Sequence, residues 1–324
     1  MTTISTFIIL CLALLVDHFL GEPKQFHPLV GFGNYANKLE KYLNSPAFSN
    51  QKLFALGFIA LFLAVFPIIF IVHFFTIQND SIWVNIFTLV IVYSCIGMQS
   101  LRSHAIEIYQ SLQSQSLENP SLENQSLSIS RSKVAMIVSR DTDQMQASDI
   151  SRATIESVLE NGSDAVFAPV FWFIIAGVPG ILAYRLINTL DAMWGYKTKQ
   201  FKYFGFAVAK LDDLINYIPA RLTALSYAMM GNWQSAIYCW KTQAKHWSGV
   251  NPGVVMSAGS GALGIKLGGG DFYHGEFINR PDLGEGKIAQ ADDIINSVEL
   301  LKRVLWLWLF LLFLIFFSGF YALY

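Results

Sequence analysis

Three polar clusters stand around an apolar stretch in the middle of this chain. The first reads Glu156-Ser-Val-Leu-Glu160-Asn161-Gly-Ser-Asp164, and the second Asn188-Thr-Leu-Asp191. The third is Lys210-Leu-Asp212-Asp213-Leu-Ile-Asn216-Tyr-Ile-Pro-Ala-Arg221. Between the first two runs Phe-Ala-Pro-Val-Phe-Trp-Phe-Ile-Ile-Ala-Gly-Val-Pro-Gly. Ionisable groups beside membrane-depth sequence are costly to hold there and are functional candidates by default. Six carboxylates, with amides and cations among them, suit a site that handles a polyanion, with Mg²⁺ as the bridge.

Spacing refines this. Glu156 and Glu160 are four residues apart and share one face of a helix. Asn161-Gly162 is expected to break that helix, leaving Ser163 or Asp164 to cap the next one. Two acids on one face with Asp164 past the turn can bind a divalent cation. The plain alternative is a solvated face with an Arg152–Glu156 pair. Asn188 and Asp191 also share a face, with Arg185 a turn earlier; here the alternative is an interfacial helix end with a snorkelling arginine. Adjacent aspartates cannot share a face, so Asp212 is expected to pair with Asn216, and Pro219 to end that helix. Lys210 and Arg221 can hold phosphate oxygens, one as a point charge and the other as a fork. The alternative is a capped amphipathic helix on a membrane surface. Arg140-Asp141 follows a short apolar run and reads as a local ion pair or an anion contact. His27, with Asp17 and Glu22 nearby, is a weaker candidate, because a lone histidine is more often structural.

The elements that must position these groups are membrane helices. The chain has 324 residues, 53% hydrophobic and only 14% charged, against about 25% charged in soluble domains. A net charge of −1 supplies no field to draw nucleic acid. Cys11, Cys95 and Cys239 match no metal or redox spacing and read as core residues. Stretches of about 4–20, 53–76, 82–99 and 303–324 are long and apolar enough to cross a bilayer. The first is expected to be a retained span and not a signal peptide, since no basic segment precedes it. A fifth stretch, 166–187, is broken by Pro169, Gly177, Pro179 and Gly180 and reads as a re-entrant hairpin or a kinked span, the former preferred. Lys and Arg concentrate in 21–52, 100–165 and 188–303, which puts those segments in the cytoplasm. Residues 111–130 contain Ser-Leu-Glu-Asn twice and read as a low-complexity, mobile polar loop. The Gly259-Ser-Gly-Ala-Leu-Gly264 match to a dinucleotide fingerprint lacks a preceding strand signal. Small residues there are better explained by close helix packing. The fold class expected is therefore all-α: a polytopic integral membrane protein. It has four to five spanning helices, one broken or re-entrant apolar segment and cytoplasmic helices.

Taken in order, the motifs resemble those of the CobD/CbiB family, membrane proteins of cobalamin biosynthesis. The resemblance runs from Asp17 and His27-Pro28 through Ser139-Arg-Asp-Thr142, Glu156…Asp164, Ala168-Pro-Val-Phe-Trp172 and Asn188…Asp191…Gly195-Tyr-Lys197. It continues through Leu211…Arg221, Asn251-Pro-Gly253 and Ala262…Gly268 to Tyr273-His-Gly275. It spans nearly the whole chain and implies one membrane-embedded domain over 1–324, in the inner membrane, with its active face in the cytoplasm. It implies a ligase that joins adenosylcobyric acid to aminopropanol or its O-phosphate, with ATP and Mg²⁺. On that reading Glu156, Glu160, Asp164, Asp191, Asp212 and Asp213 are candidate catalytic, metal-binding or amine-orienting groups, with Glu160, Asp164 and Asp212 for Mg²⁺. Arg140, Lys197, Lys210 and Arg221 are candidate phosphate contacts. His27, Asn161, Asn188, Asn216, Asn251 and Tyr273 complete the substrate-binding set. Membrane lipid surrounds the protein, and a complex with other corrinoid-pathway proteins is compatible with this reading. Two departures stand out: the 111–130 insert is unlike a typical family loop, and the Gly-rich segment carries extra small residues. Two alternatives remain: an AmpE-like membrane signalling modulator without catalysis, and a corrinoid or anion permease.

Overall fold

The computed structural model describes residues 3–23, 27–77, 81–114, 120–273 and 275–321. Its helices are α1 (Thr3–Leu20), α2 (Pro28–Leu43), α3 (Asn50–Ile77), α4 (Ile82–Cys95), α5 (Met98–Gln113), α6 (Pro120–Val134) and α7 (Ala147–Gly162). They continue with α8 (Ala168–Trp194), α9 (Phe206–Ile215), α10 (Tyr217–Met230), α11 (Trp233–Gln243), α12 (Val250–Leu263) and α13 (Ala291–Tyr321). The chain forms two compact units. One holds Met1–Gln99, Asp164–Tyr217 and Phe313–Tyr324, and the other Ser100–Ser163 and Ile218–Leu312.

In the first unit, α2 begins where sequence chemistry says it should. Pro28 occupies the first turn, and the His27 Nδ1 accepts the otherwise unpaired Leu29 N–H at 3.2 Å. α3 is apolar on all sides, and small residues set its inner face. Ala60, Ala64 and Val65 pack with Phe32 and Ala36 of α2, Leu186, Leu190 and Trp194 of α8, and Val208 of α9. Gly57 lies directly against the Phe204 carbonyl, where a Cβ has no room. The outer face carries Phe62, Phe66 and Phe70, all exposed, with the first two rings stacked at 4.8 Å. So much exposed aromatic surface is stable in lipid and costly in water. Among the described residues, 50–77, 82–113 and 147–194 are helical runs long and apolar enough to cross a membrane, and Ser5–Leu20 is a shorter apolar helix. The expected span at 303–324 lies on α13, with 322–324 outside the described residues.

The 147–194 run is not one straight rod. Gly177 has φ 62° and ψ −152°, which no helix contains. A Cβ on Gly180 would lie 2.6 Å from the carbonyl oxygen of Trp172, eight residues earlier. In an unbroken helix those positions stand about 12 Å apart along the axis. The backbone therefore turns back on itself inside the apolar segment, at the Gly-Val-Pro-Gly signal.

The second unit is built around α12. Gly259 packs against Leu159 of α7, and Gly261 against Ala236 of α11, each too close for a Cβ. The Tyr227 hydroxyl of α10 donates to the Leu159 carbonyl at 2.9 Å. The Gly-rich segment after α12 forms short strands that the residue pattern alone did not signal. β1 (Ile265–Gly268) pairs antiparallel with β4 (Asp282–Leu283) and parallel with β5 (Lys287–Ile288). β2 (Asp271–Tyr273) and β3 (Glu276–Ile278) form a hairpin. Cys95 and Cys239 are buried free thiols.

Three local expectations are corrected. The polar repeat is not a loop beyond 120: residues 120–134 are helical. Its serines satisfy one another, with Ser126 Oγ donating to the Ser111 carbonyl at 2.6 Å and Ser130 Oγ to Ser111 Oγ at 2.8 Å. Residues 115–119 lie outside the described residues. Asn161-Gly162 does not end the helix; residues 163–167 continue as a wider π-type turn, with Ser163 in helical conformation and not a cap. Pro219 does not end a helix either. α9 stops at Ile215, and Pro219 sits in the first turn of α10, where its missing N–H leaves no helical bond unmade.

Gly177→Ala places a side chain in a region of backbone space open only to glycine, at a cost of about 1–3 kcal/mol. The expected result is a melting temperature several degrees lower in detergent, read by thermal unfolding; an unchanged midpoint removes the turn from this position.

Candidate functional site

The polar side chains of the first unit gather on the returning half of α8 and the end of α9. Tyr184, Asn188 and Asp191 recur at helical spacing, so they share a face. Asp212 receives the Asn188 Nδ2 at 3.3 Å on one oxygen and the Asn216 Nδ2 at 3.1 Å on the other. Asn216 is buried, and its Oδ1 lies 2.9 Å from the Tyr184 hydroxyl, which also lies 3.0 Å from the Asp164 carbonyl. The expected Asp212–Asn216 pair is thus present, and two amides rather than a cation orient the acid. Burial raises the Asp212 pKa, the amide hydrogen bonds from Asn216 and Asn188 oppose that, and the charge of Asp213 raises it further; the net direction is upward. Asp191 lies within electrostatic reach of both Asp212 and Asp213. Lys210 and Asp213 face solvent as a 3.5 Å pair, and Lys197 is exposed.

A cavity of about 330 Å³ opens beside this face, lined by Glu22, Pro23, His27, Leu29, Val30, Arg185 and Thr189. Burial lowers the His27 pKa, the Glu22 charge raises it and the Arg185 charge lowers it; the net direction is down. Its Nδ1 accepts the Leu29 N–H, so the neutral ring carries its proton on Nε2.

The second unit holds a different arrangement. Glu156 accepts Arg140 Nη2 at 2.6 Å, Arg280 Nη1 at 3.3 Å and the Gly268 N–H at 2.8 Å. Asp271 accepts Arg140 at 2.6 Å, Arg280 at 2.6 Å and Arg152 at 3.0 Å. Arg152 also reaches Asp149 at 3.3 Å and the Gly268 carbonyl. Burial alone favours neutral Arg140, but Glu156, Tyr273 and Asp271 outweigh it and its pKa moves up. Three guanidinium groups around two buried carboxylates join α7 to the strands. Arg140 and Glu156, expected at the chemistry, are committed to each other. Arg140-Asp141 is no local pair, since Asp141 accepts the Gly275 N–H at 2.7 Å. Glu160 sits one turn beyond Glu156 in the field of this cluster. The Asn161 amide is returned to Ser157 of its own helix.

Arg221 Nη1 donates to the buried Asn251 Oδ1 at 3.0 Å. Arg221 also lines a second cavity, about 360 Å³, with Trp240, Lys241, Lys245 and Trp247. Tyr273 lies on β2. Among the described residues no group of three or more His, Cys, Asp or Glu is disposed to hold a metal ion. The candidate acids divide between the units. Glu156 and Glu160 belong to the second, and Asp164, Asp191, Asp212 and Asp213 to the first. Sequence reasoning missed Tyr184 and Arg280. Tyr184 was recoverable, one turn before Asn188; Arg280 stands in no local pattern.

A family model described as CobD/Cbib protein matches residues 10–301. "Cobalamin biosynthesis protein CobD" of Stutzerimonas stutzeri is 45% identical over 308 residues, covering 95% of this chain and 97% of the relative. The protein of the same description from Chromobacterium violaceum is 43% identical, covering 92% of each. That of Leptospira interrogans is 33% identical, covering 96% of this chain and 97% of the relative. No solved structure matches this chain.

The geometry sets two expected outcomes. Asp271→Asn leaves buried guanidinium charge uncompensated and is expected to cost about 3–5 kcal/mol, read as a large drop in melting temperature. A second test uses the raised Asp212 pKa. The folded protein holds that proton more tightly than the unfolded chain, so ionisation costs stability. The cost is absent below the unfolded value of about 3.9, grows toward the folded value and is complete above it. Asn cannot ionise, so the melting temperature of Asp212→Asn minus that of the parent should rise with pH across this window; a flat difference contradicts the assignment.

Proposed function

This chain belongs to the CobD/CbiB family, and from that membership we propose that it is a membrane ligase of cobalamin biosynthesis. Its reaction joins adenosylcobyric acid to aminopropanol or aminopropanol O-phosphate through an amide, with ATP hydrolysed to ADP and phosphate. The match over residues 10–301 carries this reading. The apolar helices support a place in the inner membrane, and the Lys and Arg distribution supports a cytoplasmic active face.

A carboxylate is a poor electrophile, because its charge is delocalised and oxide is a poor leaving group. Transfer of the γ-phosphoryl group to the carboxylate gives an acyl phosphate. The free amine then attacks the carbonyl carbon, the C–O bond to phosphate breaks, and the amine's extra proton passes to a base. Bound with ATP, Mg²⁺ supplies neutralisation of the charge that develops on the phosphates. It needs only one or two protein carboxylates when phosphates provide the rest. Asp212 fits that role. Two amides fix both its oxygens, and Asp191 and Asp213 crowd it with like charge, which a cation relieves. Arg221, Lys241 and Lys245 give the second unit a cavity free of lining carboxylates, suited to phosphate oxygens beside the Trp240 and Trp247 rings.

The test is purified protein in detergent with adenosylcobyric acid, aminopropanol O-phosphate, ATP and Mg²⁺, followed by mass spectrometry. The expected product has gained one amine less one water, with one phosphate released per amide, and chelation of Mg²⁺ stops it. Asp212→Asn should lower turnover by about 100-fold or more while inserting normally. No condensed product, where a family relative gives one, defeats the reading. Uptake of corrinoid into vesicles without chemical change would favour a permease instead.

A further inference from the structure

Glu22 and Arg185 line the same 330 Å³ cavity, yet among the described residues no ion pair joins them. Opposite charges that share a cavity without closing on one another leave both ends free for a ligand. Among the described residues the guanidinium is almost without partners. Its buried Nε has none, and Nη1 reaches only Asn188 Oδ1, at 3.5 Å, the limit of a hydrogen bond. A buried guanidinium N–H such as this Nε is costly to leave unanswered unless an acceptor arrives. The Thr189 hydroxyl is not a second donor, because it donates to the Arg185 carbonyl at 2.8 Å. His27 is one. Its Nδ1 accepts the Leu29 N–H, so Nε2 bears the hydrogen and can only donate. At the other end, Gly97 makes room for the Glu22 carboxylate; a Cβ there would stand 2.9 Å from Oε1.

We propose that this cavity is a subsite for a small zwitterion, with its phosphate on Arg185 and His27 Nε2 and its ammonium on Glu22. A phosphate offers the oxygens that a planar guanidinium and an imidazole N–H can share. A cavity of this size takes a ligand of a few carbons and excludes a corrin ring. Resting on the function proposed above, the occupant is the phosphorylated amino alcohol and not the free amino alcohol, which has nothing to offer Arg185. The Arg185–Asn188–Asp212 series then leads from the phosphate end to the carboxylate that would accompany the nucleotide.

The experiment titrates the purified protein, without ATP or corrinoid, with aminopropanol O-phosphate, aminopropanol and inorganic phosphate by calorimetry. The phosphorylated amine should bind at least about tenfold tighter than either fragment, because it alone meets both charges. Arg185→Lys, Glu22→Gln and Gly97→Ala should each weaken it about tenfold. In the amide-forming assay each should raise KM for the amine about tenfold while leaving KM for ATP nearly unchanged. Equal binding of the three probes, or affinity unchanged in Arg185→Lys and Glu22→Gln, overturns the proposal. If Arg185→Lys fails to fold, Glu22→Gln decides alone, since Glu22 is exposed. Amide formation with unaltered amine KM in the variants sinks the subsite and spares the ligase. Tight binding lost in the variants, with no amide formed by the parent, sinks the ligase and spares the subsite.

Discussion

A backbone that reverses inside an apolar segment must leave peptide groups without helical partners. It must also find a residue able to take the turn. Both conditions meet at Gly177, whose φ of 62° and ψ of −152° strain any residue that carries a Cβ. Gly180 then admits the Trp172 backbone at close range. The Trp172 indole N–H, on the first half of α8, caps the Ile215 carbonyl at the end of α9 at 3.1 Å. The returning half of α8 carries Tyr184, Arg185, Asn188 and Asp191. Without the reversal, those side chains would project from a continuing rod, away from α9. The arrangement of Asp212 between two amides depends on that turn.

The two units use charge in opposite ways. In the second, Arg140, Arg152 and Arg280 surround Glu156 and Asp271 with ion pairs, and among the described residues only the buried Arg140 Nε of that cluster finds no partner. Such a network fixes geometry more than it stabilises, because desolvation offsets most of the Coulomb gain. Its consequence is to hold the Gly-rich strands against α7. In the first unit, among the described residues, no ion pair joins Arg185 to Glu22 and two amides hold Asp212, and the ligand site proposed above rests on that difference.

The proposed ligase chemistry asks for two things that pull against each other. Phosphoryl transfer wants concentrated positive charge, while the amine must arrive unprotonated enough to attack. In the proposed subsite, a guanidinium and a carboxylate lining one cavity would hold the two ends of a single small substrate. Like-charge crowding around Asp212 meanwhile favours the cation that would travel with the nucleotide. Ionising Asp212 costs the fold stability, and the cation proposed above would offset that cost.

Local features were legible in the residues alone. Apolar runs near twenty residues fixed the membrane class, because a bilayer has one thickness. The Asp212–Asn216 pair came from four-residue spacing, and the site of the turn from Gly-Val-Pro-Gly. Small residues at 258–264 correctly promised close packing, because a missing Cβ has the same meaning in any fold. The errors were also local. Ser-rich sequence after 120 reads as a loop until Ser126 and Ser130 find Ser111 on another helix. Pro219 reads as a stop until the helix boundary shifts two residues ahead of it. Only the tertiary structure decided which charges meet. Glu156 was expected at the chemistry and is instead enclosed by Arg140 and Arg280, while Arg185, for which a snorkelling helix end was one of two readings, lines a cavity with Glu22. The reason is physical. Helix periodicity fixes which residues share a face, but which faces oppose one another depends on where the backbone turns and how closely glycines and alanines let helices approach.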